Sequence, residues 1–120
     1  MKKKTKVLCI IPARLNSKRI KNKNIKLFLG KPIIAWSIQA AINSKCFDKV
    51  IVSTDSKKIS KIANKYKAET PFLRSKKLSS DKIPMLSVIK DSIKQMMKRN
   101  YKPDIVCCLF ATAPLLDFSI

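Results

Sequence analysis

Three short runs in this chain are apolar at nearly every position: VLCII (Val7–Ile11), KVIVST (Lys49–Thr54) and IVCCLF (Ile105–Phe110). A strand with one wet face alternates polar and apolar residues, whereas an unbroken run predicts a strand covered on both faces. Pro12 ends the first run. Between the runs the apolar spacing changes to that of helices. Ile33, Ile34, Ser37, Ile38, Ala41 and Ile42 recur at helical intervals with Trp36 beside them, after a Gly30 turn and with Pro32 suited to the first helical position. This helix is predicted to run to about Ser44. Ser56 can cap a second helix with Ile59, Ile62, Ala63 and Tyr66 on one face. Pro71 keeps ETPFLRS irregular, and SSDKIP reads as a turn. A third helix starts near Pro84, with Leu86, Ile89, Ile93, Met96 and Met97 as its buried stripe and the methionines as core filler.

Alternating buried strands and amphipathic helices define an α/β domain with a parallel sheet, covered on both faces and joined by right-handed crossovers. Ligands of such sheets bind beyond the carboxyl ends of the strands. Three segments are predicted to converge there: the loop after strand one, Ser53-Thr54-Asp55 after strand two, and Ala111-Thr112-Ala113-Pro114 after strand three. The 120 residues suit one domain. No apolar run approaches the roughly 20 residues of a bilayer span, so the chain is expected to be cytoplasmic, with no membrane partner.

Charge sharpens the first of these loops. The chain carries 27 Lys and Arg against 7 Asp and Glu, and the first acid is Asp48. Such a field favours polyanions, although lysines on exposed helix faces also serve as a plain solvated surface. The stretch IIPARLNSKRIKNKN (Ile10–Asn24) holds Arg14, Lys18, Arg19, Lys21 and Lys23 with no acid and no glycine. Arg14 offers a planar fork for phosphate, and lysines offer point charges. The loop is neither a GxxxxGK[ST] nor a GxGxxG motif, and its spacing alone leaves a phosphate site and a solvated loop equally open. No histidine is present, and Cys9, Cys46, Cys107 and Cys108 lack CxxC spacing, which argues against a Cys/His zinc site and against His-activated nucleophiles. Cys9 and the Cys107–Cys108 pair are expected to be buried, reduced thiols. Aromatic residues are 7% of the chain, too few for a stacking row, so specific nucleic-acid binding is not expected; a basic nucleic-acid module and a non-functional remnant stand as alternatives.

The segment IPARLNSKRIKNKNIKLFLGKPIIAWSI resembles the opening signature of the sugar-acid cytidylyltransferases, the family of the acylneuraminate (CMP-sialic acid) synthetases. FDKVIVSTDSKKISKIANKYKAETPFLRSKKLSSD is similar to the next block, with its STDS, PFLR and L-x-x-D elements. VCCLFATAPLL resembles the pseudaminic acid branch more than the sialic acid branch. The resemblance covers nearly the whole chain.

It implies a three-layer, Rossmann-like nucleotide-diphospho-sugar transferase fold with a mostly parallel sheet, truncated after the third main strand. Residues 1–120 would be the N-terminal nucleotide-binding part of one cytidylyltransferase domain. The implied reaction moves CMP from CTP to a nine-carbon keto sugar acid and releases pyrophosphate. The family pattern puts Arg14, Ser17 and Lys23 on the CTP phosphates, Asn24 and Arg74 on the cytosine, and Asp81 beside the nucleotide pocket. Arg14 and Lys23 would neutralise charge during transfer, while Asp55 faces the same cleft without an assigned role. Mg²⁺ ligands, the sugar-acid site and a homodimerisation segment are implied for the family's C-terminal part, so this chain reads as an incomplete, inactive fragment.

Overall fold

The computed structural model describes residues 5–14, 27–75 and 83–110. Strand β1 (Val7–Pro12) is followed by two short strands, β2 (Leu27–Phe28) and β3 (Lys31–Pro32). Helix α1 (Ile33–Ser44), strand β4 (Lys49–Ser53), helices α2 (Lys57–Lys65) and α3 (Met85–Lys98), and strand β5 (Ile105–Cys108) complete the order. The main sheet has the order β4-β1-β5 and both pairings are parallel, with Cys9 opposite Val50 on one side and Cys107 on the other. The predicted α/β fold with a parallel sheet is what the chain forms.

The unbroken apolar runs are explained by layers on both faces. Cys9, Ile11, Ala13, Val50 and Val52 pack with Ile34, Ile38 and Ala41 of α1 and Ile59 and Ala63 of α2. Leu8, Ile10 and Ile51 point the other way and pack with Met96, flanked by the partly buried Ile89 and Ile93 of α3. Each of the larger aliphatic side chains contributes about 1.5–3 kcal/mol on full burial. Ser56 caps α2 as expected, its Oγ accepting the Ile59 N–H at 3.3 Å. α1 starts after Pro32 and ends at Lys45, which adopts a left-handed φ of 58°.

Four expectations are revised. β1 does not stop before Pro12: the strand includes it, and Ala13 N–H donates to the Ser53 carbonyl at 2.8 Å, so the ladder steps past the residue that has no N–H. β5 is not a buried strand. Among the described residues β1 is its one neighbour, and Ile105 is 53% and Phe110 58% exposed. Consequently Cys107 is half-buried and Cys108 exposed, while Cys9 is enclosed. Burial, reinforced by Cys107 and Cys108, pushes the Cys9 thiol up to about 12. Finally, α3 buries Val88, Ser92 and Met96, whereas Leu86 and Met97 are 63% and 46% exposed. Ser92 sits in the stripe because its Oγ–H returns to the Val88 carbonyl at 2.9 Å, which satisfies it without water.

ETPFLRS (69–75) is irregular as expected, yet it leans on the free side of β4. Ile51 bridges Glu69 and Thr54 bridges Leu73, both parallel, and Arg74 N–H donates to the Thr54 carbonyl at 2.7 Å. This lean brings Arg74 to the carboxyl end of the sheet.

Candidate functional site

The carboxyl ends of β1 and β4 lie side by side, with Pro12 opposite Ser53. Arg14 leaves the sheet just beyond. On the β4 side the chain turns through buried Ser53 and Thr54 to exposed Asp55. Thr54 Oγ1 accepts the Ser56 N–H at 3.1 Å, which tightens this turn into α2. The third contributor is Arg74, whose side chain is buried.

A buried guanidinium needs acceptors for its donors. Arg74 Nη2 donates to the Ser53 carbonyl at 2.7 Å, and Arg74 Nε donates to Ser53 Oγ at 3.3 Å. That same carbonyl also receives the Ala13 N–H. Ser53 thus joins the exit of β1, the end of β4 and the Arg74 segment at one point. Burial pushes the Arg74 guanidinium below its ordinary range; Asp55 pulls it back up, Arg14 pushes it further down and Asp91 again raises it. Two arginines within electrostatic reach of each other, with one exposed carboxylate at the rim, form a cationic focus beyond the strand ends. Such a focus favours an anion.

Beyond this focus the described chain resumes at Leu27 with a hairpin that is tied down. β2 and β3 pair antiparallel around Leu29 and Gly30, whose φ values are 52° and 86°. Trp36 of α1 donates from Nε1 to the Phe28 carbonyl at 2.6 Å and meets the Phe28 ring edge-on at 6.4 Å. Lys31 also lies over Trp36, its ammonium 4.5 Å from the ring and 2.9 Å from Gln39 Oε1. A cation over indole and an edge-to-face aromatic pair each add of order 0.5–1 kcal/mol. The hairpin is therefore anchored to the first turns of α1.

Of the six site residues that the sequence suggests, Arg14 and Arg74 are brought together here. Ser17, Lys23, Asn24 and Asp81 lie outside the described residues, as do Ala111–Pro114. The sequence reading missed the part played by Ser53. Its signal is faint: a serine closing a buried β-branched run, where a polar side chain needs a partner.

Magnesium does not fit the described residues by themselves. No three His, Cys, Asp or Glu side chains gather among them, and the carboxylates acting on Arg74 come singly from Asp55 and Asp91. No helix among the described residues is long and apolar enough to cross a membrane.

A parallel sheet with a cationic focus at its carboxyl edge is the architecture of an α/β protein whose ligands bind beyond the strand ends. Residues 8–120 match the cytidylyltransferase family, and the chain belongs to it. It is 50% identical over 115 residues to the pseudaminic acid cytidylyltransferase of Campylobacter jejuni, covering 96% of this chain and 50% of that protein. It is 39% identical over 109 residues to the CMP-N,N'-diacetyllegionaminic acid synthase of Legionella pneumophila, covering 91% and 47% respectively. A cytidylyltransferase structure from Leptospira borgpetersenii superposes with a TM-score of 0.74 at 25% identity, over 96% of this chain and 45% of that one. The chain spans about half the length of the curated relatives it matches.

Proposed function

We propose that this chain forms the CTP-binding part of a cytidylyltransferase that couples CMP to a nine-carbon keto sugar acid of the pseudaminic or sialic acid type. The observation that carries the reading is the convergence of Arg14 and buried Arg74 beyond the β1 and β4 ends, in a family member with this similarity to pseudaminic acid cytidylyltransferase. Two cations held near each other repel, and a polyphosphate on Arg14 offsets that repulsion while Arg74 faces the base.

In this reading Arg14 and Lys23 hold the β- and γ-phosphates, and Ser17 adds a hydroxyl donor. Asn24 and Arg74 face the cytosine, with Asp81 beside the pocket. A hydroxyl oxygen of the sugar acid attacks the α-phosphorus. The bond from that phosphorus to the bridging oxygen breaks, pyrophosphate leaves, and the hydroxyl proton passes to solvent. No protein nucleophile is needed. Positioning and charge neutralisation by this chain's arginines and lysines supply its share of the rate. Magnesium, in the same reading, is held by carboxylates in the part of the relatives that this chain does not span. That part also completes the sugar-acid site and a homodimer. The whole protein would serve cell-surface glycan synthesis from the cytoplasm, and the 120 residues alone would bind CTP without turning it over.

Calorimetric titration of CTP at about 200 mM salt tests the reading, because diffuse polyanion attraction fades there. Binding by the chain and its loss in Arg14→Ala support it. The turnover test joins the chain to a relative's C-terminal half. If that protein releases no pyrophosphate with pseudaminic or sialic acid, the reading is wrong.

A further inference from the structure

We propose that Ser53 is a positioning residue, its hydroxyl and main-chain carbonyl together orienting the Arg74 guanidinium toward a pyrimidine nucleoside triphosphate bound beyond β1 and β4. The inference rests on the CTP reading above and adds a residue to it. Its basis is geometric. Arg74 could be held at many angles by a single carbonyl, since one hydrogen bond leaves rotation about its own axis free. Two acceptors on one residue, the carbonyl taking Nη2–H at 2.7 Å and Oγ taking Nε–H at 3.3 Å, fix the plane of the guanidinium as well as its place. Ser53 is itself immobile: it is 1% exposed, paired with Pro12 in the ladder, and its carbonyl holds the Ala13 N–H at 2.8 Å. The residue that aims Arg74 therefore also sets where the chain leaves β1 for Arg14. The spacing of the two arginines is referenced to a single residue.

A side chain aimed in this way loses little freedom when a ligand arrives, which is how a supporting hydrogen bond improves binding without touching the ligand. Ser53→Ala removes the Oγ acceptor and keeps the carbonyl. Ser53→Thr keeps the hydroxyl.

The first measurement needs no ligand. The Arg74 Nε–H resonance in ¹⁵N NMR of the 120-residue chain is identified by its loss in Arg74→Lys. It is expected to exchange with water about tenfold more slowly than exposed arginine signals, consistent with one charge-assisted hydrogen bond. Ser53→Ala should abolish that protection and Ser53→Thr preserve it. The second measurement is a double-mutant cycle on CTP affinity. Ser53→Ala is expected to weaken CTP about tenfold in the native background and to change nothing in Arg74→Ala. A loss of equal size with and without Arg74 would mean a general structural effect and overturns the proposal. Unchanged Arg74 Nε–H exchange in Ser53→Ala overturns it as well. If the Nε–H is protected by Ser53 but the native chain binds no CTP, the positioning role stands and the CTP reading fails.

Discussion

Asp48 and Asp104 hold the same strand from opposite sides. Asp48 Oδ2 accepts the Val7 N–H and Asp104 Oδ2 accepts the Lys6 N–H, both at 2.7 Å. Each aspartate returns its own N–H, Asp48 to Val7 O at the start of β1 and Asp104 to Lys6 O just before it, at 2.8 Å. One sits just before β4 and the other just before β5, so each sets the register of a parallel neighbour at its first residue. Asp48→Ala and Asp104→Ala are each expected to cost about 0.5–1.5 kcal/mol, in urea titrations followed by circular dichroism. The two losses should add, because the contacts lie on different flanks of β1.

Cys9 makes stability depend on alkaline pH. Its folded thiol titrates near 12 against an ordinary value of 9.0, so the folded chain keeps the proton that the unfolded chain releases. Stability is therefore full below about 9 and falls as pH rises toward 12. Cys9→Ala should flatten that fall, read from denaturation midpoints across the range. In the native chain at pH 8, iodoacetamide followed by mass spectrometry should label exposed Cys46 first, Cys108, whose thiol burial and Cys107 push up, more slowly, and Cys9 not at all.

Leu29 and Lys45 are among the described residues that hold left-handed positions to which their side chains are ill suited. Leu29 has φ 52° in the β2–β3 turn and is 77% exposed, so its side chain has little packing to lose. Leu29→Asn creates the Asn-Gly pair that such a two-residue turn favours, and Lys45→Gly relieves φ 58° at the end of α1. Each is expected to stabilise the chain by about 0.5–1 kcal/mol, measured as a rise in melting temperature.

Adjacent methionines in α3 should behave differently. Met96 is buried against Leu8, Ile10 and Ile51, and Met97 is nearly half exposed. Met96→Ala should cost about 2–5 kcal/mol. Met97→Ala should stay within about 0.5 kcal/mol by the same denaturation assay.

The Tyr101 hydroxyl is buried with no hydrogen-bond partner among the described residues, while the Lys6 and Lys49 ammonium groups each sit 5.5 Å from its ring. Tyr101→Phe keeps the ring and removes the orphaned oxygen. The variant is expected to gain about 1 kcal/mol in the same titration, and a loss would show that the hydroxyl has a partner.

The layered fold was legible because burial on both faces of β1 and β4 leaves no polar residue in VLCII or in VIV. The cap at Ser56 and the helix start at Pro32 followed from local chemistry for the same reason: their partners lie within a few residues. β5 misled because IVCCLF has the composition of a central strand, while its place in the sheet depends on which strand it joins. The α3 stripe was read from apolar letters alone, so it took in the exposed Leu86 and Met97 and passed over Ser92, whose bond to Val88 makes it acceptable there. At the candidate site the family signature picked out Arg14 and Arg74. Ser53 was invisible in that role, because its acceptors meet an arginine 21 residues away through a loop with no periodicity.

The central position of β1 sets a schedule for synthesis. It is made first, yet its partner at Lys49 follows 41 residues after Leu8, and Ile105 follows 98 residues after Val7. At about 5–20 residues per second, its second flank waits roughly 5–20 s on the ribosome. For that interval an apolar strand with one bare edge is among the stickiest segments in the nascent chain, and the lysine-rich sequence that flanks it, by mutual repulsion, keeps neighbouring copies apart until β5 emerges.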